Sequence, residues 1–95
     1  MHFEWNEEKA KSNLKKHGVS FAEAETVFGD FLARIFDDEE HSFEERRNGI
    51  VGHSKANRLL IISFTELEDD KIRIISAREV TSTERRKYEN ANGWK

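Results

Sequence analysis

The sequence predicts a small α+β domain, with two N-terminal helices, a mainly antiparallel four-stranded sheet and a C-terminal helix. Three observations predict it. Residues 58–66, RLLIISFTE, are apolar on both faces, as a central strand is. Residues 71–78, KIRIISAR, alternate apolar and chargeable side chains with the period of a half-buried strand. Helix-start signals stand at Asn6, Ser20 and Thr81, two before the strands and one after them. Strands joined by short links close most simply as an antiparallel sheet, with the paired helices packed on it.

In chain order, residues 2–5 form a short aromatic entry with Phe3 and Trp5 at strand-like spacing. Asn6 caps a first helix whose first turn holds Glu7 and Glu8 and whose last holds Lys15, Lys16 and His17, so both ends complement the helix dipole. Gly18 supplies the stop. His17 reads as a dipole-complementing residue there, and with only Ala10 and Leu14 clearly apolar this is an outer helix. Ser20 and Glu23 have capping-box spacing, and Phe21, Ala24, Val27 and Phe28 recur at helical spacing, predicting a second, amphipathic helix ended by Gly29 and Asp30.

Residues 31–36 read as a first strand, followed by the acidic run 37–40 and His41. Consecutive acids in one loop cannot all point inward, so this run is not read as a metal site. Residues 45–54 give a second strand, bulged or frayed at its start by Arg46, Arg47, Asn48 and Gly49. His53 stands between strand and turn, as a proton-transfer group or a polar turn residue. The strands 58–66 and 71–78 form a hairpin across the acidic turn 68–70, and a helix over 82–91 follows, with 92–95 as a tail.

Ninety-five residues make one domain, 1–95. The absence of cysteine excludes disulfides, thiolate metal sites and cysteine nucleophiles. No apolar run is long enough to span a membrane, and the start MHFEWNEEK lacks the order of a signal peptide, so a cytoplasmic protein is expected. The net charge of −3 hides a division: residues 1–45 hold 12 acids and 5 bases, residues 46–95 hold 7 acids and 11 bases. That asymmetry predicts a basic surface in the second half and acidic surface elsewhere.

The basic half concentrates its charge at residues 71–88. Strict alternation puts Ile72, Ile74, Ser76 and Arg78 on one face of the strand, with Arg73, Ile75 and Ala77 on the other. Thr81 and Glu84 then start a helix that carries Arg85, Arg86 and Lys87, so cations from two elements converge and anions are the expected visitors. Singly, each of these residues is equally at home on a solvated surface, and Ser76 lacks the glycine pattern of a nucleophile elbow.

Four blocks, FEWNEEKAKSNLKKHGVSFAEA at 3–24, EHSFEER at 40–46, GHS with Arg58 at 52–58, and IRIISAREVTSTERRKYE at 72–89, resemble the BrnT family of bacterial type II toxins. The resemblance implies a RelE-like fold and an endoribonuclease that cleaves RNA without metal or cofactor and halts growth. It also implies a BrnA-like antitoxin with a ribbon-helix-helix domain, a toxin–antitoxin hetero-oligomer, and promoter DNA bound only through the antitoxin. The matching basic and hydroxyl positions are Arg46, Arg58, Arg73, Ser76, Arg78 and Arg85. The chain departs from the family pattern at Arg47, Asn48 and Gly49, where apolar strand residues are usual.

Metal-free RNA cleavage requires removal of a proton from the ribose 2′-hydroxyl, stabilisation of the phosphorane and protonation of the leaving 5′-oxygen. Arginines suit the second task because they stay charged and grip phosphate in a fork. Arg58 and Arg78 are therefore assigned to the phosphate with Ser76 beside them, and His53 and Glu84 are the candidates for proton transfer. Arg46, Arg73, Arg85 and Arg86 would bind the rest of the RNA. The alternative is a non-catalytic RNA-binding or co-repressor module acting within a toxin–antitoxin complex, including a toxin that has lost activity.

Overall fold

The sheet has five strands, one more than the sequence pattern predicts, in the order β1-β5-β4-β3-β2. A computed structural model describes residues 1–37 and 46–90. The elements are β1 (His2–Glu4), α1 (Glu7–His17), α2 (Phe21–Thr26) with a 3₁₀ turn at Val27–Gly29, β2 (Arg34–Asp37), β3 (Asn48–His53), β4 (Leu59–Leu67), β5 (Lys71–Glu79) and α3 (Ser82–Glu89). The extra strand, β1, runs parallel to β5 with Phe3 opposite Ile72, whereas every other pairing is antiparallel. Three residues are too few to show periodicity, and their partner lies at the far end of the chain.

Local signals set the helices as expected. The Asn6 side chain accepts from the Lys9 amide at 3.0 Å, and Gly18 adopts φ 70° so that its N–H reaches the Leu14 carbonyl at 2.8 Å. Ser20 Oγ accepts from the Glu23 amide at 3.0 Å, but the Glu23 carboxylate turns away to Arg58 and Ser54, leaving half a capping box. At Thr81 and Glu84 the box is complete. The first strand begins at Arg34, three residues later than predicted, because Phe31 and Leu32 belong to a turn in which Asp30 Oδ1 accepts from the Leu32 amide. β3 begins at Asn48, and residues 38–45, which hold most of the acidic run, lie outside the described residues, as do 91–95.

The core lies between α1, α2 and one face of the sheet. Val19, Phe21, Ala24 and Val27 pack on Ile50, Leu60, Ile62, Phe64, Ile72, Ile74 and Ala77. Phe28 links Phe3 to Phe64 by edge contacts at 5.1 and 5.0 Å, which ties β1 into this layer.

Burial of both Ile74 and Ala77, three residues apart, requires a break in the alternation of β5. Ser63 pairs with Ser76 while its neighbour Phe64 pairs with Ile74, so Ile75 is an extra residue and the strand bulges there. Beyond the bulge the faces exchange. Ser76 and Arg78 consequently do not share the face of Ile72 and Ile74, as strict alternation predicts; they join Arg73 on the opposite, open face. α3 lies over part of that face, with Tyr88 meeting the His53 ring edge-on at 5.9 Å and donating to the Leu32 carbonyl at 3.2 Å.

The bulged segment is held by Asn13 of α1, a buried polar residue. Its Nδ2 donates to the Ala77 carbonyl at 2.8 Å and the Val19 carbonyl at 2.9 Å, and its Oδ1 accepts from the Ala77 amide at 3.1 Å. β1 covers the outer edge of β5 only from Lys71 to Arg73, and beyond it the Asn13 amide takes the place of a neighbouring strand. Asn13→Ala leaves three buried backbone groups unpaired. A cost of about 1–3 kcal/mol per unmatched buried group predicts a loss on the order of 3 kcal/mol in urea unfolding, with the slope unchanged; a loss below about 0.5 kcal/mol would show the clamp to be dispensable.

Candidate active site

Cross-strand register assembles a cleft on the open face. Phe36, Gly49, Ser63 and Ser76 follow one another across β2, β3, β4 and β5, and Arg34, Val51, Ile61 and Arg78 form the next row. The first row, with Ile61, Arg78 and Arg47 at the entry to β3, lines a cleft of about 320 Å³. The sequence-predicted pair Ser76 and Arg78 meets here, two residues apart on one side of the strand. Ser63, Arg47, Phe36 and Gly49 were not predicted. Their membership depends on which residues stand opposite each other in the sheet, and the one signal that marked any of them was the departure of Arg47–Asn48–Gly49 from an apolar strand.

Arg78 is oriented by a fork-to-fork contact, Nη1 and Nη2 donating to Glu84 Oε1 and Oε2 at 2.8 and 3.0 Å. Nη1 also donates to the Glu79 carbonyl at 3.2 Å. The second Nη2 hydrogen and Nε–H remain for a ligand. The carboxylate raises the guanidinium pKa against the opposing effect of burial. Arg78 in turn holds Glu84 down at about 2, against burial and with help from the Thr81 amide. Glu84 is thus anionic at neutral pH and joins the N-terminus of α3 to the end of β5. Opposite Ser76 on the neighbouring strand, Ser63 Oγ is buried and, among the described residues, has no hydrogen-bond partner.

Arg58 lies elsewhere. Its Nε donates to Glu23 Oε2 at 3.0 Å, Nη1 to Glu79 Oε2 at 3.0 Å, and Nη2 to the Gly18 carbonyl at 3.0 Å and to Glu23 Oε1. Ser54 Oγ adds a bond to Glu23 Oε2 at 2.7 Å. The two acids raise the Arg58 pKa, the hydrogen bond from Glu23 most of all, and Arg58 lowers that of Glu23. This network fastens the start of β4 to α2 and to the α1–α2 turn.

His53 is also separate. Its amide donates to Asp30 Oδ2 at 2.7 Å, its Nδ1 stands 3.9 Å from the same oxygen, and its ring lines a shallow depression with Thr26, Asp30 and Ser54. It is two strands and two residues from Arg78 in register, about 12 Å by standard sheet spacings. Arg73 pairs with Glu4 of β1 at 2.9 Å, and Arg46 with Asp37 at 3.0 Å beside the cleft residue Arg47. On α3, Arg85 faces Glu89 at 3.7 Å and Arg86 is exposed. Among the described residues, no three His, Cys, Asp or Glu side chains gather as metal ligands.

The Glu84–Arg78 contact makes part of the acid stability dependent on the Glu84 carboxylate. A folded pKa near 2 against an ordinary value of 4.5 means that Glu84 contributes stability above about pH 4.5, lost as pH falls through about 2. Glu84→Gln keeps a capping side chain but removes the charge. Thermal midpoints measured from pH 6 to about pH 2 should therefore fall less steeply in the variant than in the wild type; parallel curves would show that the contact contributes nothing.

A comparison of the sequence with curated proteins gives no match. Among solved structures, the fold is similar to the 1.1 Å crystal structure of the ribonuclease toxin BrnT of Brucella abortus, with a TM-score of 0.66 and 23% identity over 86% of this chain and 99% of that one. A family model described as ribonuclease toxin, BrnT, of type II toxin-antitoxin system matches residues 5–84. With most of its length, from the first helix to the Glu84 that orients Arg78, inside that match, the chain belongs to the BrnT family of ribonuclease toxins.

Proposed function

We propose that the chain is a metal-independent endoribonuclease that cleaves RNA at the open-face cleft, arrests growth, and is neutralised by a BrnA-like antitoxin. The observation that carries this reading is the convergence of Ser76 and Arg78 with Arg47 and Ser63 in one cleft. In the reaction the ribose 2′-oxygen attacks phosphorus and the bond to the 5′-oxygen breaks, giving a 2′,3′-cyclic phosphate and a 5′-hydroxyl end. The remaining N–H groups of Arg78 bind a non-bridging oxygen as charge builds on the phosphorane, and Ser76 donates beside it. Glu84 is a positioning residue in this scheme. Arg58 acts through the fold, by fixing β4, and His53 stands outside the phosphate site. Arg46, Arg73, Arg85 and Arg86 supply weaker contacts to flanking phosphates.

The non-catalytic alternative has one observation in its favour: among the described residues lining the cleft there is no His, Asp, Glu or Lys to move a proton. Product formation separates the two readings. Wild-type protein incubated with total RNA in EDTA should yield fragments ending in 2′,3′-cyclic phosphate, and Arg78→Ala should lower the rate by roughly 10²–10³-fold, the usual cost of removing one transition-state donor. Arg78→Lys, which retains charge but not the fork, guards against loss of folding, monitored by circular dichroism. Binding without products by the wild type would favour capture or co-repression.

A further inference from the structure

Phe36 occupies an unusual position in the cleft. It stands on β2 directly opposite Gly49 of β3, and its ring reaches across the β3 backbone, so that Cζ, Cε1 and Cε2 all lie within 3.0 Å of where a β-carbon on residue 49 would stand. A side chain at 49 would expel the ring, and this accounts for a glycine inside β3. The ring belongs to the row that continues through Ser63 to Ser76, and it is half-buried. The remaining polar lining is cationic or hydroxylic: Arg47, Arg78, Ser63 and Ser76.

Phosphate-binding groups beside one partly open aromatic ring match a nucleotide, which offers an anion and a flat apolar base. We propose that Phe36, held across Gly49, is a stacking platform for an unpaired base of single-stranded RNA next to the phosphate gripped by Arg78. This rests on the ribonuclease reading and adds to it a base subsite. Stacking on an aromatic side chain is largely indifferent to base identity, so the subsite selects for unpaired RNA over duplex rather than for a particular sequence.

The test uses a short RNA carrying 2′-O-methyl groups throughout, which cannot be cleaved, and an oligomer of the same length and charge lacking bases. Both are titrated by fluorescence anisotropy at one fixed salt concentration, because the phosphate contribution is salt-dependent. The wild type should bind the base-bearing oligomer roughly tenfold or more tightly than the abasic one. Phe36→Leu should bind both at the abasic level, and Phe36→Trp should restore the difference. Gly49→Ala, which displaces the ring without removing it, should also reduce the difference. A wild type without base preference, or a folded Phe36→Leu that keeps it, would overturn the proposal. Because binding is read on an uncleavable ligand, failure of the wild type to cleave native RNA would remove the ribonuclease reading while leaving the base preference measurable.

Discussion

The bulge at Ile75 is the constraint on which the proposed RNA-binding surface depends. Without the extra residue, Ser76 and Arg78 would point into the layer under α1 and α2, where an arginine has no water and no room. With it, Ile72, Ile74 and Ala77 all face the core while Ser76 and Arg78 face the cleft. A bulge disrupts the ladder locally, and the Ala77 amide and carbonyl would be left at an uncovered strand edge. The Asn13 amide supplies both bonds from α1. Core packing, edge protection and site geometry thus meet within a few residues of β5.

The acidic first half and the basic second half meet at three points in the described residues, where acids of the first pair with arginines of the second. Glu4 meets Arg73, Glu23 meets Arg58, and Asp37 meets Arg46. Each pair joins segments distant in sequence or adjacent strands, and surface pairs of this kind contribute little individually to stability. Their greater effect is to fix where positive charge is presented. The Glu23–Arg58 contact, with Ser54 and Glu79 added, is the most connected of them.

What the sequence made legible was what local chemistry decides. Asn6, Gly18 and Ser20 marked helix ends, Thr81 and Glu84 formed their box, and the apolar run from Leu59 identified the central strand and its hairpin with β5. Interactions between distant residues were hidden. β1 has three residues and a partner near the other end of the chain; the bulge reverses the face of every later residue in β5; and Asn13 looks like an ordinary helix residue until Ala77 is beside it. In the cleft, Ser76 and Arg78 were visible as a hydroxyl and a cation ending a strand. Ser63 and Phe36 were not, because a serine within an apolar strand and a phenylalanine beside acids acquire meaning only from the register that aligns them with Ser76 and Gly49.

An amide NMR titration of the intact chain with an uncleavable 2′-O-methyl dinucleotide tests the proposed engagement of RNA at the row running from Phe36 to Ser76 on the open face. The largest shifts should fall on Gly49, Ser63, Ser76 and Arg78, with little change at Asp30, His53 and Ser54. Shifts centred on His53 and Ser54, or on Gly18 and Arg58, would place the ligand elsewhere and contradict it.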